Sequence, residues 1–378
     1  MPELVTRPSG PPEPGGDAAP GHPGRPGSPA NGGFATGGSP TGGAPGRRPL
    51  LLLGLPLALC VLAATVWASL VVGSGDVSVA DATRALFSAD LSDKSQLIVH
   101  EVRIPRTVAG VLAGVALGLA GAVMQGVARN PLADPGILGV NAGASVFVVF
   151  AMSVLGLAAP TQYVWFGFLG AFAAAVLVYG VGSLGREGAT PVKLALAGAA
   201  TSSVLGSLTT AILLTDSKTF DQFRFWQVGA LTARETDVLA QVAPFIAVGV
   251  LFALALGPHL NALSLGDDLA RGLGQRVGLA RAAAAASVVL LCGGATAVAG
   301  PIGFVGLVVP HAVRLFAGPD YRWILPYSAV LAPVLLLLAD IVGRVIAPPG
   351  EVQAGIVTAA IGAVPFIVLV RRRRLAEL

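Results

Sequence analysis

From Leu50 onward the chain is built of long apolar runs separated by short clusters of charge, proline and glycine. A bilayer core of roughly 30 Å needs about 20 apolar residues per crossing helix. Ten runs approach that length. They fall at Leu50–Val72, Thr107–Ala128, Gly139–Ala158, Val164–Leu184, Val192–Leu214, Leu239–Leu256, Ala280–Ala299, Phe304–Phe316, Ile324–Ala347 and Gly355–Val370. The pattern predicts an all-α polytopic membrane protein with ten transmembrane helices. The eighth run is too short to cross alone, so surrounding helices must shield its ends. In the second, Gly110, Gly114, Gly118 and Gly121 make one face of small residues. In lipid such faces let helices approach closely, which predicts a tight bundle.

The first 49 residues follow a different pattern, with 12 Pro and 13 Gly and only Leu4, Val5 and Phe34 as large apolar side chains. Such a segment cannot bury enough apolar area to offset its ordering entropy, so residues 1–49 are expected to be a disordered cytoplasmic tail. The apolar run begins only after Arg47 and Arg48, unlike a signal peptide. Residues 50–374 then form the membrane domain, and 375–378 a short cytoplasmic end.

Composition agrees with lipid as the solvent. Of the 378 residues, 54% are hydrophobic and 12% charged, with a mean hydropathy of +0.76. A soluble domain carries roughly 25% charged residues. The net charge is only +4 and the basic residues are scattered between apolar runs, which argues against a nucleic-acid partner. With ten spans both termini share a side. If that side is the cytoplasm, the inner loops and ends hold 14 Arg and Lys, leaving out Arg7 and Arg25 of the far tail, and the outer loops 8. Positive charge gathers inside, most densely at Arg371–Arg374, so this orientation is expected.

Several chemistries drop out. No GxxxxGK[ST] phosphate loop occurs, so the chain is not expected to hydrolyse ATP by itself. His22, His100, His259 and His311 are isolated from one another, and no metal-binding pattern is present. Cys60 and Cys292 lie inside apolar runs and read as buried, inert thiols. Few ionisable residues lie deep in the runs, which weighs against an ion-coupled secondary transporter.

Three stretches are too polar and too rich in Pro and Gly to be plain lipid spans. They are RIPRTVAGVLAGVALGLAGAVMQGVARNPLADPGILGVNAGAS (Arg103–Ser145), SLGDDLARGLGQRVGLAR (Ser264–Arg281) and GPIGFVGLVVPHAVRLF (Gly300–Phe316), the last followed by LLLLADIVGRV from Leu335. In order and spacing, over roughly residues 50–374, they resemble the FecCD family of ABC-importer permeases, which carry iron(III)-siderophores, haem and cobalamin.

That resemblance implies a type II importer permease without cofactor or metal, working as a homodimer or heterodimer in the plasma membrane. Cytosolic ATPase subunits would dock below and an extracytoplasmic binding protein above. Arg103, Arg106 and Arg344 correspond to arginines that meet acidic residues of the binding protein, a task suited to the guanidinium fork. Equally, they could anchor helix ends, and Asp340 lies one turn before Arg344 and could pair with it. Asn130 and Leu132 flank Pro131, which forces a turn, and correspond to the cytoplasmic gate. Leu265, Leu269 and Leu273 fall at four-residue spacing behind Asp267 and Asp268, as on a short capped helix, and correspond to the ATPase-coupling segment. Ser202, Ser203 and Thr209 lie on the small, hydroxyl-rich fifth run, implied to line the pathway, though small residues also serve helix packing.

Overall fold

The computed structural model describes residues 47–73, 77–87, 92–185, 190–232, 236–347 and 350–364. The expected tail as far as residue 46, the basic run Arg371–Arg374 and the end 375–378 lie outside them.

All regular structure among the described residues is helical. The helices are α1 Arg47–Val71, α2 Val79–Phe87, α3 Lys94–Ile98, α4 Ile104–Ala128, α5 Val140–Ser153, α6 Pro160–Gly182, α7 Pro191–Thr215 and α8 Ser217–Gln227. They continue with α9 Thr236–Ala255, α10 Gly257–Ser264, α11 Asp267–Gly272, α12 Val277–Ala299, α13 Val305–Ala317, α14 Tyr321–Ile346 and α15 Ala354–Val364. Seven of the described helices are long and apolar enough to cross a membrane: α1, α4 with its α3 extension, α6, α7, α9, α12 and α14. Three shorter apolar helices, α5, α13 and α15, stand where the remaining predicted runs lie.

Local chemistry sets the boundaries. Proline occupies the first turn of α4, α6 and α7, where its missing N–H costs nothing. Asp320 caps α14 by accepting the Arg322 N–H at 2.9 Å, and Asp216 caps α8 by accepting the Lys218 N–H at 3.0 Å. The third predicted run is cut short at Ser153, because Gly156 turns the chain at positive φ before Pro160 opens α6.

At the centre stand α4 and α12, with 78% and 72% of their most apolar stretches buried, against 11% in α1. The glycine face of α4 lies along α14. A methyl group on Gly114 would sit 2.4 Å from Pro333 Cα, and one on Gly118 2.5 Å from Ala332 Cβ. At Gly121 it would sit 1.8 Å from the Gly306 carbonyl oxygen of α13. Only hydrogen fits there, and the expected close-packing face is realised. One cysteine departs from expectation. Cys292 is buried, but Cys60 is exposed, because α1 packs along α14 with little else around it.

Candidate functional site

Polar chemistry gathers at the two ends of α4, about 35 Å apart along a 1.5 Å-per-residue helix. At its start a π-helical turn, Val99–Arg103, feeds into Pro105 and Arg106. Arg106 grips Asp340 of α14 through Nε and Nη2, at 2.8–3.1 Å, and reaches Glu351 through Nη1 at 2.7 Å. Arg344 binds the same Asp340 carboxylate one helical turn away, with Nε at 2.9 Å. Its Nη1 donates to the Ser69 and Val72 carbonyls at 2.7 and 3.0 Å. Arg103 donates to the Leu70 and Val71 carbonyls at 2.9 and 2.6 Å. These bonds fill carbonyls left open where α1 ends.

Asp340 is fully buried, and Arg103, Arg106 and Arg344 are 3%, 5% and 3% exposed. The expected docking arginines are thus bonded within their own chain, as in the helix-end alternative. Each guanidinium is already engaged by its own chain, so docking through any of them would first require these contacts to open. The expected Asp340–Arg344 pair is present, and Arg106 joins it from α4. The cluster ties the end of α1, the start of α4, the end of α14 and the segment before α15.

At the other end α4 stops at Arg129. There the backbone turns left-handed (φ 50°, ψ 31°) and the Asn130 N–H returns to the Gln125 carbonyl at 3.2 Å. Asn130 Oδ1 accepts the Leu132 N–H at 2.9 Å, which stiffens the turn around Pro131. Asn130 is exposed and Leu132 half-buried. Farther on, burial pushes the Asp134 carboxyl above its ordinary range, opposed by the Gly136 N–H that it accepts at 2.7 Å. Ile137 carries this segment onto α7, where a methyl on Gly198 would meet the Ile137 carbonyl oxygen at 1.7 Å.

The expected coupling helix is shorter than its leucine spacing suggests. Gly266, at φ 109°, breaks the chain between Leu265, which ends α10, and Asp267, which starts α11. Leu273 caps the other end, so only Leu269 lies within α11. All three leucines are nonetheless exposed, at 58%, 61% and 68%. Asp268 points outward and pairs with Arg271 at 3.0 Å, whereas Asp267 turns inward toward Arg129 and Arg281.

The hydroxyl-rich helix α7 is almost as unburied as α1, yet of the seven long helices α1 is the most apolar and α7 the least. Its exposed surface mixes Val192, Leu196, Val204, Leu208 and Leu214 with hydroxyls and small residues, which suits lipid less well than the surface of α1. Beside it opens a cleft of about 710 Å³, lined by Asn141 and Ser145 of α5, Thr209 and Thr210 of α7, Phe220 and Gln227 of α8, and Pro301. Of the expected pathway residues, Thr209 lines this cleft. Ser202 turns toward Gly139 instead, and Ser203 is exposed elsewhere on α7. The Thr209 and Thr210 hydroxyls donate to carbonyls four residues back at 2.8 and 3.0 Å, so they line the wall without strong free donors, and the Ser203 hydroxyl outside the cleft does the same at 2.9 Å.

The sequence reading missed α8 and its contributions Phe220 and Gln227. The available signal was Asp216 ahead of Thr219, Phe223 and Trp226, a cap before three residues at helical spacing that are buried here. The Thr219 hydroxyl, 2.5 Å away, holds the Asp216 carboxyl below its usual range. Arg129 and Glu351 were also missed, because their partners lie 138 and 245 residues away, and so was Arg281, whose partner Asp267 sits on a different helix.

A helical bundle with a buried central pair, an open cleft beside a weakly apolar helix and exposed leucines at one end defines a membrane permease. The chain belongs to the FecCD transport family, which it matches over residues 61–372. It is 44% identical over 329 residues to the ferric enterobactin transport system permease protein FepD of Escherichia coli, covering 87% of this chain and 95% of that one. To the probable siderophore transport system permease protein YfiZ of Bacillus subtilis it is 43% identical over 312 residues, covering 82% and 93%. Among solved structures, an inward-facing metal-chelate type ABC transporter superposes with a TM-score of 0.72 at 28% identity, covering 86% of this chain and 99% of that chain.

Proposed function

We propose that this chain is the plasma-membrane permease subunit of an ATP-driven importer that carries a ferric siderophore into the cytoplasm. In this reading ten helices span the bilayer, with both termini cytoplasmic. A second permease subunit packs against α7 and closes the cleft into a pathway. An ATPase on a separate chain docks at Leu265–Leu273, and a binding protein delivers solute at the opposite end. The observation that carries the reading is α7, the least apolar of the seven long helices and rich in Ser, Thr, Gly and Ala, yet almost as unburied as α1. Such a helix fits a partner subunit and a weakly binding conduit better than lipid. Asn130 and Leu132 form the cytoplasmic gate below that conduit.

The reading is tested in proteoliposomes holding the chain with its co-expressed ATPase and binding protein. Uptake of radiolabelled ferric enterobactin, or of a ferric hydroxamate, is expected only with ATP inside the cytoplasmic compartment. Uptake of cobalamin or haem instead would change the solute and keep the machine. Uptake driven by an ion gradient without ATP would overturn the reading.

A further inference from the structure

The gate loop and the coupling segment were read from separate stretches of sequence, and one side-chain bridge joins them. Arg129 occupies a left-handed position where glycine is favoured and a side chain is penalised. Its guanidinium pairs with Asp267 Oδ1, on the first residue of α11. The same oxygen accepts Arg281 Nη2 at 3.0 Å, from the foot of α12, where the Arg281 side chain is 8% exposed. Gly266, at φ 109°, makes the turn that brings Asp267 beside Arg129. Asn130, the next residue after Arg129, starts the stiff turn to Leu132.

We propose that Asp267 and Arg129 form the strut that carries movement of the ATPase-docking segment to the cytoplasmic gate, with Arg281 as its fixed footing. The inference rests on the docking and gate assignments of the proposed function. Asp267 and Arg129 are positioning residues, since neither lines the cleft. Ion pairing suits this task because the pair is 24% and 33% exposed. Partly hydrated charges can swivel through a stroke without the cost of opening a buried pair. Leu269 of α11 and the flanking Leu265 and Leu273 supply the docking surface, so the carboxylate is spared for the link.

The decisive variant is Arg129→Gly. It removes the strut and relaxes the backbone, because glycine suits the left-handed position. A gate reporter, Leu132→Cys, is placed in a Cys60→Ser, Cys292→Ala background and labelled with a membrane-impermeant maleimide in the ATPase-bound complex. With Arg129 present, trapping the ATPase with ATP and vanadate should change the labelling rate. With Arg129→Gly the ATPase should still co-purify, and the nucleotide-dependent change should shrink about fivefold, the scale of a typical coupling loss. Arg129→Lys, which keeps the charge, should restore part of it. An undiminished nucleotide response in Arg129→Gly would overturn the strut while leaving the permease reading intact. Failure of the chain with Arg129 in place to bind the ATPase at all would overturn both.

Discussion

The two ends of α4 solve the same problem, a cationic helix end, in opposite ways. At the start Arg106 and Arg344 share a carboxylate that is fully buried, and their remaining donors fill backbone carbonyls of α1 or reach Glu351. At the end Arg129 shares Asp267 with Arg281 in a pair that water partly reaches. The buried knot unites helices that need not move past one another, and its charges have nowhere to go once separated. The wetter linkage joins the loop after α4, the proposed gate, to a segment with exposed leucines, and its geometry can adjust at low cost. On the proposed mechanism, burial separates an ion pair that holds a fold from one that transmits a motion.

Removing the centre of the knot should have the largest effect. Asp340→Leu leaves two buried guanidiniums without their shared anion, which typically costs about 3–5 kcal/mol. Folded, detergent-stable protein should fall sharply on fluorescence-detected size exclusion. Full recovery of stable protein would show that the knot is dispensable. Next comes the exposed end. Leu269→Asp with Leu273→Asp places carboxylates where an apolar contact is proposed, at a cost of roughly 2–7 kcal/mol per buried unpaired polar group. The chain should fold and lose its ATPase in pull-down, and retention of the ATPase would move the docking surface elsewhere.

A third change probes the shaft between the ends. Gly121→Ala forces a methyl into the Gly306 carbonyl contact and should cost about 1–3 kcal/mol, as overpacking does. Thermal unfolding should show the drop, and an unchanged midpoint would mean that α4 and α13 separate easily. The smallest effect is expected at Glu351→Gln, because that carboxylate is 23% exposed and only supplements Asp340. Its loss should cost no more than about 1 kcal/mol. A loss as large as that of Asp340→Leu would make the half-exposed edge of the knot as critical as its centre.

Much of this contrast was readable along the chain, and its decisive part was not. Apolar runs located the seven long helices and the three shorter ones, α5, α13 and α15, among the described residues, because an unbroken apolar stretch is legible along the chain. The glycine spacing of α4 foretold a close helix contact without naming its partner, and four-residue spacing allowed the Asp340–Arg344 pair. Those are all local relations within one helix. Arg106 meets Asp340 across 234 residues and Arg129 meets Asp267 across 138, distances over which spacing carries no information. Hence the sequence left Arg103 and Arg106 open between docking and anchoring helix ends, and only the fold shows their internal partners. The leucines at 265, 269 and 273 read as one helix because Gly266 looked like any other glycine, and only its positive φ shows the break.

The most direct test sets the two ends against each other in one quantity, solute imported per ATP hydrolysed, measured in proteoliposomes for Arg129→Gly and for the milder knot variant Asp340→Asn. The account predicts a ratio about fivefold below that of the unmodified chain for Arg129→Gly. For whatever Asp340→Asn protein remains folded, it predicts an unchanged ratio. A normal ratio in Arg129→Gly, with the loss appearing in folded Asp340→Asn instead, would contradict the account.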